Sequence, residues 1–335
     1  MPRLARIDTP GLLQHVIIRG IERRKIFRNR NDYSDFMERL GILIPETQTQ
    51  CYAWVLMGNH AHFLLRSGPS GIAGLMRRLL TGYVLGFNKR HRRHGQLFQN
   101  RYKSIICQED AYFKELVRYI HLNPVRAKMV PDLAALKRYA YCGHGALSGR
   151  KSCDWQNVSY VLGYFGSKDA QARRRYQAYM TSGMAQGRRP ELVGGGMVRS
   201  AGGWAAVKKL RLRGMDRIKG DQRILGESDF VQQLLKKADE RLERAAELRN
   251  RKIDLQALAR NAAAIYEIAP EEIFIKSRIK RRADARALYC YWAVRELGYS
   301  LTELSNQLKI SPSGVGYAVR KGEQLAEKGG YELPE

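Results

Sequence analysis

The stretch from residue 51 to residue 66 constrains the fold of this chain more than any other. An apolar run, C-Y-A-W-V-L-M, covers residues 51 to 57, and a second run, H-A-H-F-L-L-R, covers residues 60 to 66. Gly58 and Asn59, two turn-forming residues, separate them. Two apolar runs joined by a two-residue turn predict a tight β-hairpin, even though the favoured order is Asn-Gly.

Two histidines share one face of this hairpin. Side chains alternate along a strand, so His60 and His62 lie on one face while Ala61 and Phe63 lie on the other. Two neutral imidazoles on one face can hold a divalent cation if a third ligand arrives from elsewhere. With seven histidines in 335 residues, a chance His-x-His pair is uncommon but not rare, so the pair alone does not establish a metal site.

The charge of the chain points to a polyanionic partner. Lys and Arg number 59 against 32 Asp and Glu, which gives a formal charge of +27 and a pI near 10.1. Nucleic acid and anionic membrane both fit this excess. No apolar run approaches the roughly 18 to 20 residues that span a bilayer, and no signal-peptide core follows Met1. The five cysteines show no C-x-x-C spacing, so we expect reduced thiols in a cytoplasmic, nucleoid-associated protein.

The elements around the hairpin predict an α+β domain. A β-branched strand at 14 to 19 precedes a helix that Asp32 is expected to cap and Pro45 to end. After the hairpin, the pattern predicts a helix over about 72 to 91 and an extended segment over 96 to 106. A third helix is expected to end at Asn123, because Pro124 disfavours a helical residue before it. The order β-α-β-β-α-β-α predicts a ferredoxin-like antiparallel sheet with helices on one face and an appended helix.

The third helix carries a tyrosine and an amide on one face. Tyr119 and Asn123 are four residues apart, so they lie one turn from each other. A buried tyrosine whose hydroxyl is bonded at the rim of the core is the simplest explanation of Tyr119 taken alone.

Three motifs together resemble one family. The motifs are N-H-A-H-F-L-L at 59 to 65, G-Q-L-F-Q-N-R-Y-K-S at 95 to 104, and Y-I-H-L-N-P-V-R-A-K-M-V at 119 to 130. Over about residues 8 to 145 the chain resembles the HUH single-tyrosine transposases, in particular the REP-associated tyrosine transposases. Three motifs in the right order are more specific than any one of them.

The resemblance implies a site and a reaction. It implies that His60 and His62 bind Mg²⁺ or Mn²⁺, that Asn123 completes the metal site, and that Tyr119 is the nucleophile. Many relatives have glutamine where this chain has Asn123, and His121 is a weaker candidate ligand. The implied reaction is cleavage and strand transfer of single-stranded or hairpin DNA through a 5′-phosphotyrosine.

Basic and aromatic residues of the first 145 positions are candidate DNA contacts. Each charge taken singly is more often a solvated surface residue, but the cluster favours phosphate binding, with aromatic rings stacking on bases. The candidates are Arg77, Arg78, Lys89, Arg90, Arg92, Arg93, Arg101 and Lys103, with Tyr102 and Phe98 as stacking residues.

The C-terminal end predicts a second DNA-binding element. Ser300 and Ser311 each precede a short helical pattern, and two such helices with a turn between them are typical of a helix-turn-helix. The segment resembles the DNA-binding domain of the replication initiator DnaA, and a plain helical bundle is the alternative. The residues expected at duplex DNA are Ser311, Ser313, Tyr317, Arg320 and Lys321.

We therefore predict three regions. Residues 1–145 form the transposase or nuclease domain, 146–250 a basic and partly helical connector, and 251–335 a helical DNA-binding domain. The alternatives are a non-catalytic DNA-binding regulator that retains the fold and a binder of RNA hairpins. The sequence leaves open whether the protein acts as a monomer or as a homodimer.

Overall fold

The computed structural model divides the chain into two compact units, Met1–Gln232 and Gln233–Glu335. The described residues are 7–187, 189–193, 221–227, 229–236, 240, 254–275, 277, 279–297, 299 and 301–333.

A five-stranded sheet lies at the centre of the first unit. Its order is β2-β3-β1-β4-β5, and the first four strands pair antiparallel with their neighbours. The predicted ferredoxin-like arrangement is thereby confirmed. The fifth strand differs from the prediction, because it comes from the middle of the chain and pairs parallel with β4. The strands are β1 (Leu13–Arg19), β2 (Gln50–Met57), β3 (His60–Arg66), β4 (Lys103–Cys107) and β5 (Ile224–Leu225).

The predicted hairpin is present with the expected turn. Met57 pairs with His60 across Gly58 and Asn59, so the turn has two residues. This pairing places His60, His62 and Leu64 of β3 on one face of the sheet. The apolar side chains between them, Ala61 and Phe63, pack into the core on the other face.

Helices cover both faces of the sheet, whereas the sequence predicted helices on one face. Helices α1 (Arg30–Glu46) and α2 (Ala73–Arg90) share a core with Ala61 and Phe63. Helix α3 (Glu109–Arg126) packs on the opposite face. Four further helices follow it: α4 (Leu133–Arg138), α5 (His144–Leu147), α6 (Val158–Gly163) and α7 (Asp169–Ser182).

Both ends of α1 and the C-terminal end of α3 differ from the sequence prediction. Helix α1 is capped by Asn29, and Asp32 is its third residue, where its carboxylate completes a capping box. Pro45 lies inside the last turn of α1. Helix α3 likewise continues through Pro124 to Arg126.

The amide of Asn123 explains how α3 tolerates its proline. Pro124 has no N–H, so the carbonyl oxygen of Ile120 loses the partner that an ordinary residue four positions on would supply. The Asn123 Nδ2 atom lies 3.4 Å from that oxygen and donates to it. The side chain of Asn123 therefore replaces the backbone hydrogen bond that Pro124 cannot make. The rule that proline disfavours a helical residue before it does not take account of such a bond.

The region after residue 145 contributes to the core of the first unit. Val161 and Leu162 of α6 and Tyr176 and Met180 of α7 pack in the same cluster as Phe113 and Leu116 of α3. Residues 229–236 are helical, as predicted, and most of the glycine-rich segment 183–203 and of the charged helix expected through residue 250 lies outside the described residues. The predicted boundaries at 145 and 250 stay a prediction.

The second unit is helical in its described part. Two helices share a core with two later ones, which lie where the two short helices were predicted. The last of the four is longer than expected, at 18 residues. Ser300, the expected cap of the first of the two later helices, lies outside the described residues. The helices are α8 (Leu255–Ile265), α9 (Lys280–Arg295), α10 (Leu301–Leu308) and α11 (Pro312–Gly329). No helix in the described ranges has the length and apolar character needed to cross a membrane.

Candidate active site

Two histidines of the sheet contact one tyrosine of α3, and a third histidine lies beside them. The rings of His60 and His62 are 5.2 Å apart between centroids. The Tyr119 ring centroid lies 6.0 Å from that of His62 and 5.9 Å from that of His15, in edge-on arrangements. The structure thus brings together the predicted histidine pair and the predicted nucleophile, and it adds His15 from β1.

Hydrogen bonds fix which nitrogen of His62 carries the proton. The carbonyl oxygen of Leu192 can only accept, so His15 donates to it from Nδ1, at 3.0 Å. A neutral His15 then accepts at Nε2, and His62 donates to that atom from Nδ1, also at 3.0 Å. The Nε2 atom of His62 is left with its lone pair, which is the form that a metal ligand requires.

The second histidine of the pair is oriented in the same way. The Nδ1 atom of His60 lies 2.6 Å from the side-chain oxygen of Asn59, to which it donates. Its Nε2 atom therefore also keeps a lone pair. Asn59, a residue of the turn, thus positions the first histidine, and His15 positions the second.

All three imidazoles are held neutral at physiological pH. Burial lowers the pKa of His15 to about 4, and Lys103 adds to the effect while the hydrogen bond to Leu192 opposes it. Burial, with the charge of Arg19, lowers the pKa of His60 to about 4. Burial lowers the pKa of His62 well below its ordinary value, and the neighbouring histidines and Arg19 act in the same direction. No protons need to leave these rings before they can bind a cation.

Asn123 and His121 have other partners. Asn123 makes its hydrogen bond inside α3 and none to either histidine of the pair. His121 is fully buried, and its Nδ1 atom lies 2.9 Å from the Tyr176 hydroxyl, which His144 also contacts at 2.8 Å. His121 therefore belongs to a polar network between α3 and α7, and its candidacy as a metal ligand is not supported.

The residues at the site suit a divalent metal. Two neutral imidazoles, each with a lone pair on Nε2, form with one amide oxygen a mixed nitrogen and oxygen donor set. In the described part of the chain, no group of three or more His, Cys, Asp or Glu side chains could hold a metal ion. A site built here consequently depends on the Asn123 amide, water or substrate oxygens for its remaining ligands.

The predicted DNA contacts of the first unit fall into two groups. Arg77, Lys89, Arg92 and Arg101 are exposed. The others have protein partners. Arg78 pairs with a carboxylate oxygen of Glu46 at 2.5 Å, and Arg90 pairs with Asp32 at 3.0 Å and Asp35 at 2.8 Å. Arg93 donates to the Asn88 side-chain oxygen at 3.0 Å, and Lys103 donates to the Val193 carbonyl at 2.7 Å. These contacts reduce the charge available to a phosphate at Arg78 and Arg90.

The two predicted stacking rings line a groove. Phe98 and Tyr102 are only 9% and 6% exposed, because both pack into the core beneath α2, so neither presents an open face for a base. They border a cavity of about 720 Å³ between α2 and the loop at 96–102. Arg77 and Arg101 line the same cavity.

The predicted contacts of the second unit differ in availability. Tyr317 is 64% exposed on α11. Ser311 caps that helix by accepting from the Gly314 N–H at 3.1 Å. Lys321 forms an ion pair with Asp284 of α9 at 2.5 Å, so its charge is already compensated. Arg320 is half-buried, and the Ser313 side chain lies outside the described part of the structure.

Sequence reasoning missed His15. It lies in the β-branched run at 14 to 19 and is 0% exposed. One sequence signal was available. β1 and β3 are neighbours in a ferredoxin-like sheet, so a histidine in the predicted β1 strand can lie beside the histidines of β3.

Comparison with known proteins finds similarities in two parts of the chain. Residues 9–123 match the family model described as "Transposase IS200 like". The chromosomal replication initiator protein DnaA of Pseudothermotoga lettingae is 32% identical over 95 residues, which are 28% of this chain and 21% of that protein. The chain thus spans about a fifth of the length of this curated relative. The solved structure of a REP-associated tyrosine transposase bound to a REP hairpin aligns with a TM-score of 0.37 and 16% identity, over 47% of this chain and 93% of that one.

Proposed function

We propose that residues 9–123, which match the IS200-like transposase family, form a metal-dependent endonuclease and strand transferase that acts on single-stranded or hairpin DNA. The observation that carries the proposal is the approach of Tyr119 to His62, two side chains that lie in different elements and in two separate sequence motifs. The family match confirms the predicted resemblance over this segment. The nucleophile, the metal and the form of the DNA are proposed here.

The residues of the site have distinct tasks. His60 and His62 would hold Mg²⁺ or Mn²⁺ through Nε2, with Asn123 as a candidate third ligand. When bound, such an ion withdraws charge from a non-bridging phosphate oxygen and so favours attack. The Tyr119 oxygen forms a bond to phosphorus, and the bond from phosphorus to the 3′ oxygen of the preceding nucleotide breaks. The phenol proton passes to solvent, and the 3′ oxygen takes one up.

The products of this step explain how strand transfer follows. The 5′ phosphate stays on Tyr119 as an ester, and the released strand ends in a 3′-hydroxyl. Attack by another 3′-hydroxyl reverses the chemistry and restores the free tyrosine. No nucleotide hydrolysis is needed, because the ester retains the energy of the broken bond.

The proposed substrate follows from the net charge of the protein and from the kind of DNA backbone that Tyr119 can reach. The formal charge of +27 favours a polyanion, and the exposed Arg77 and Arg101 beside the α2 groove are available for phosphates. A tyrosine on a helix that covers a sheet can reach a backbone that is not held in a duplex. The second unit, with Tyr317 exposed on α11, is proposed to contact a neighbouring duplex.

A covalent-adduct assay tests the nucleophile. The substrate is a pool of single-stranded oligonucleotides in which a fixed hairpin is flanked by randomised positions, incubated with Mg²⁺ or Mn²⁺ and resolved under denaturing conditions. Wild type should form a covalent adduct, and Tyr119→Phe should form none because the attacking oxygen is absent. An adduct that survives in Tyr119→Phe would refute this nucleophile. No adduct from wild type over the whole pool would favour a DNA-binding regulator.

Histidine variants test the metal site separately from DNA binding. His60→Ala and His62→Ala should each remove adduct formation while leaving hairpin affinity within about threefold, because Arg and Lys contacts to phosphates carry most of the affinity. Affinity is measured by fluorescence anisotropy. Parallel loss of binding and cleavage would show that the histidines support folding instead.

A further inference from the structure

A half-buried arginine on α3 has two solvent-shielded hydrogen-bond donors that nothing in the described protein uses. The Nε and Nη1 atoms of Arg126 are shielded from solvent and have no partner among the described residues. Its Nη2 atom donates to the Gln186 carbonyl at 3.3 Å. Buried donors without partners are costly in a folded protein, so their presence near a reactive side chain indicates a ligand.

The position of Arg126 ties these donors to the nucleophile. Its guanidinium carbon lies 5.5 Å from the centre of the Tyr119 ring. Tyr119, Asn123 and Arg126 are spaced by four and then three residues on one helix, so they form a stripe along one face. The tyrosine end of this stripe meets the imidazoles of β1 and β3.

The carboxylate that could neutralise Arg126 is already used. Glu115 accepts from Arg118 at 2.7 Å and from Arg189 at 3.1 Å. The Tyr179 hydroxyl also donates to Glu115, at 2.5 Å. One negative charge therefore faces three arginines of this part of the protein, which leaves an excess of positive charge beside Tyr119. An anion is the natural complement of such an excess.

The charge on Arg126 persists despite its burial. Burial lowers the pKa of Arg126, while the neighbouring Tyr119 acts in the opposite direction. Arginine begins from so high a pKa that it stays protonated at any physiological pH. The planar guanidinium also presents several N–H groups in a fixed geometry that matches phosphate oxygens.

We propose that Arg126 is a catalytic residue that binds the scissile phosphate of the DNA. It donates from Nε and Nη1 to phosphate oxygens as the bond from Tyr119 forms, and it remains bound to the phosphate of the tyrosyl ester. Arg126 thus offsets phosphate charge from the helix side, opposite the histidines of the sheet. This inference rests on the proposed function for its chemical step, but the anion site itself does not depend on cleavage.

The anion site is tested first, without DNA or metal. The arginine Nε–H signals of the protein are recorded by ¹⁵N–¹H NMR in EDTA, and the Arg126 signal is identified by its absence from Arg126→Lys. Titration with inorganic phosphate should move this signal in a saturable manner, whereas the signal of the exposed Arg138, assigned by Arg138→Gln, should not saturate. If phosphate does not change the chemical shift of the Arg126 signal, the proposal is overturned, whatever the outcome of the adduct assay.

The catalytic role is tested on an oligonucleotide that wild type cleaves. Arg126→Gln should slow adduct formation by about 10²- to 10³-fold, as loss of a transition-state donor does elsewhere. Arg126→Lys keeps the positive charge but lacks the planar guanidinium, so its rate of adduct formation should lie between those of Arg126→Gln and wild type. Arg138→Gln removes the same charge from an exposed site and should match wild type.

A phosphate substitution separates direct contact from a structural effect. A methylphosphonate at the scissile position replaces a charged oxygen by a methyl group, which should slow wild type strongly and Arg126→Gln much less. Such non-additivity is expected only if the guanidinium and that phosphate interact. Equal slowing of both proteins, or an Arg126→Gln rate equal to that of wild type, would overturn the contact.

Discussion

At the scale of single residues, His15 connects the sheet to the short 3₁₀ helix Pro190–Val193. Its ring donates to the Leu192 carbonyl, 177 positions further along the chain, and accepts from His62, so the orientation of one proposed metal ligand depends on that backbone oxygen. Second-layer hydrogen bonds of this kind set the tautomer and the basicity of a ligating histidine. His15 is therefore a positioning residue.

Substitution of His15 should weaken metal binding directly. His15→Phe removes both hydrogen bonds and should lower Mn²⁺ affinity by about 10- to 100-fold, as comparable changes do around other metal sites. The measurement is Mn²⁺ binding followed by electron paramagnetic resonance, made in a Tyr119→Phe background so that no chemistry intervenes. His15→Gln, which can both donate and accept, should recover part of the affinity. Unchanged Mn²⁺ affinity in His15→Phe would show that His62 needs no support from β1.

At the scale of elements, the N-terminus of α1 is anchored to the end of α2 by one carboxylate. Asp32 is 0% exposed and accepts from the Arg28 N–H at 2.9 Å, from Arg90 at 3.0 Å and from His91 at 2.9 Å. Burial alone would raise the pKa of Asp32, but these donors outweigh burial and hold the pKa below its ordinary value of 3.8. The carboxylate therefore stabilises the fold only while it is ionised.

Neutralising Asp32 should destabilise the first unit in a pH-dependent way. Asp32→Asn should lower the free energy of unfolding by about 3 kcal/mol at pH 7, because it removes the buried negative charge that accepts from Arg90, from His91 and from the Arg28 N–H. The folded-state pKa is depressed, so the contribution is present above the ordinary pKa and is lost as pH falls through the folded value. Chemical denaturation at pH 7 and below pH 3.8 measures this difference. Glu38→Gln removes an exposed charge from the same helix and should change stability by under about 0.5 kcal/mol. A deficit that is equal at both pH values would contradict the linkage.

Sequence patterns predicted the helices and strands better than they predicted where these elements end and which distant residues they contact. The hairpin and the face shared by His60 and His62 follow from alternation and a two-residue turn, and both are confirmed. The continuation of α3 past Pro124 depends on a side-chain hydrogen bond, which periodicity does not encode. The meeting of His15, His62 and Leu192 depends on strand pairing and on a chain segment far away in sequence, so no local pattern contains it.

At the scale of the whole molecule, the charge of +27 predicts strongly salt-dependent DNA binding. Arg77 and Arg101, exposed beside the α2 groove, should each contribute one phosphate contact. Replacing both by Gln should reduce the slope of log affinity against log salt by about 1.5 to 2. Anisotropy titrations of one hairpin oligonucleotide at several salt concentrations give the slope. As a control, Arg138→Gln and Arg174→Gln together remove the same charge elsewhere on the surface and should leave the slope nearly unchanged. An equal reduction of the slope by both pairs of substitutions would contradict a localised DNA-binding surface.

The central claim, that Tyr119 becomes joined to the 5′ end of a cleaved strand, is tested most directly by mapping the adduct. The adduct of the wild-type protein is digested with a protease and a nuclease and examined by tandem mass spectrometry. Our account predicts a nucleotide linked through its 5′ phosphate to the peptide that contains Tyr119, together with a released strand that ends in a 3′-hydroxyl. A linkage on another residue, or a 3′-phosphotyrosine with a free 5′-hydroxyl, would contradict it.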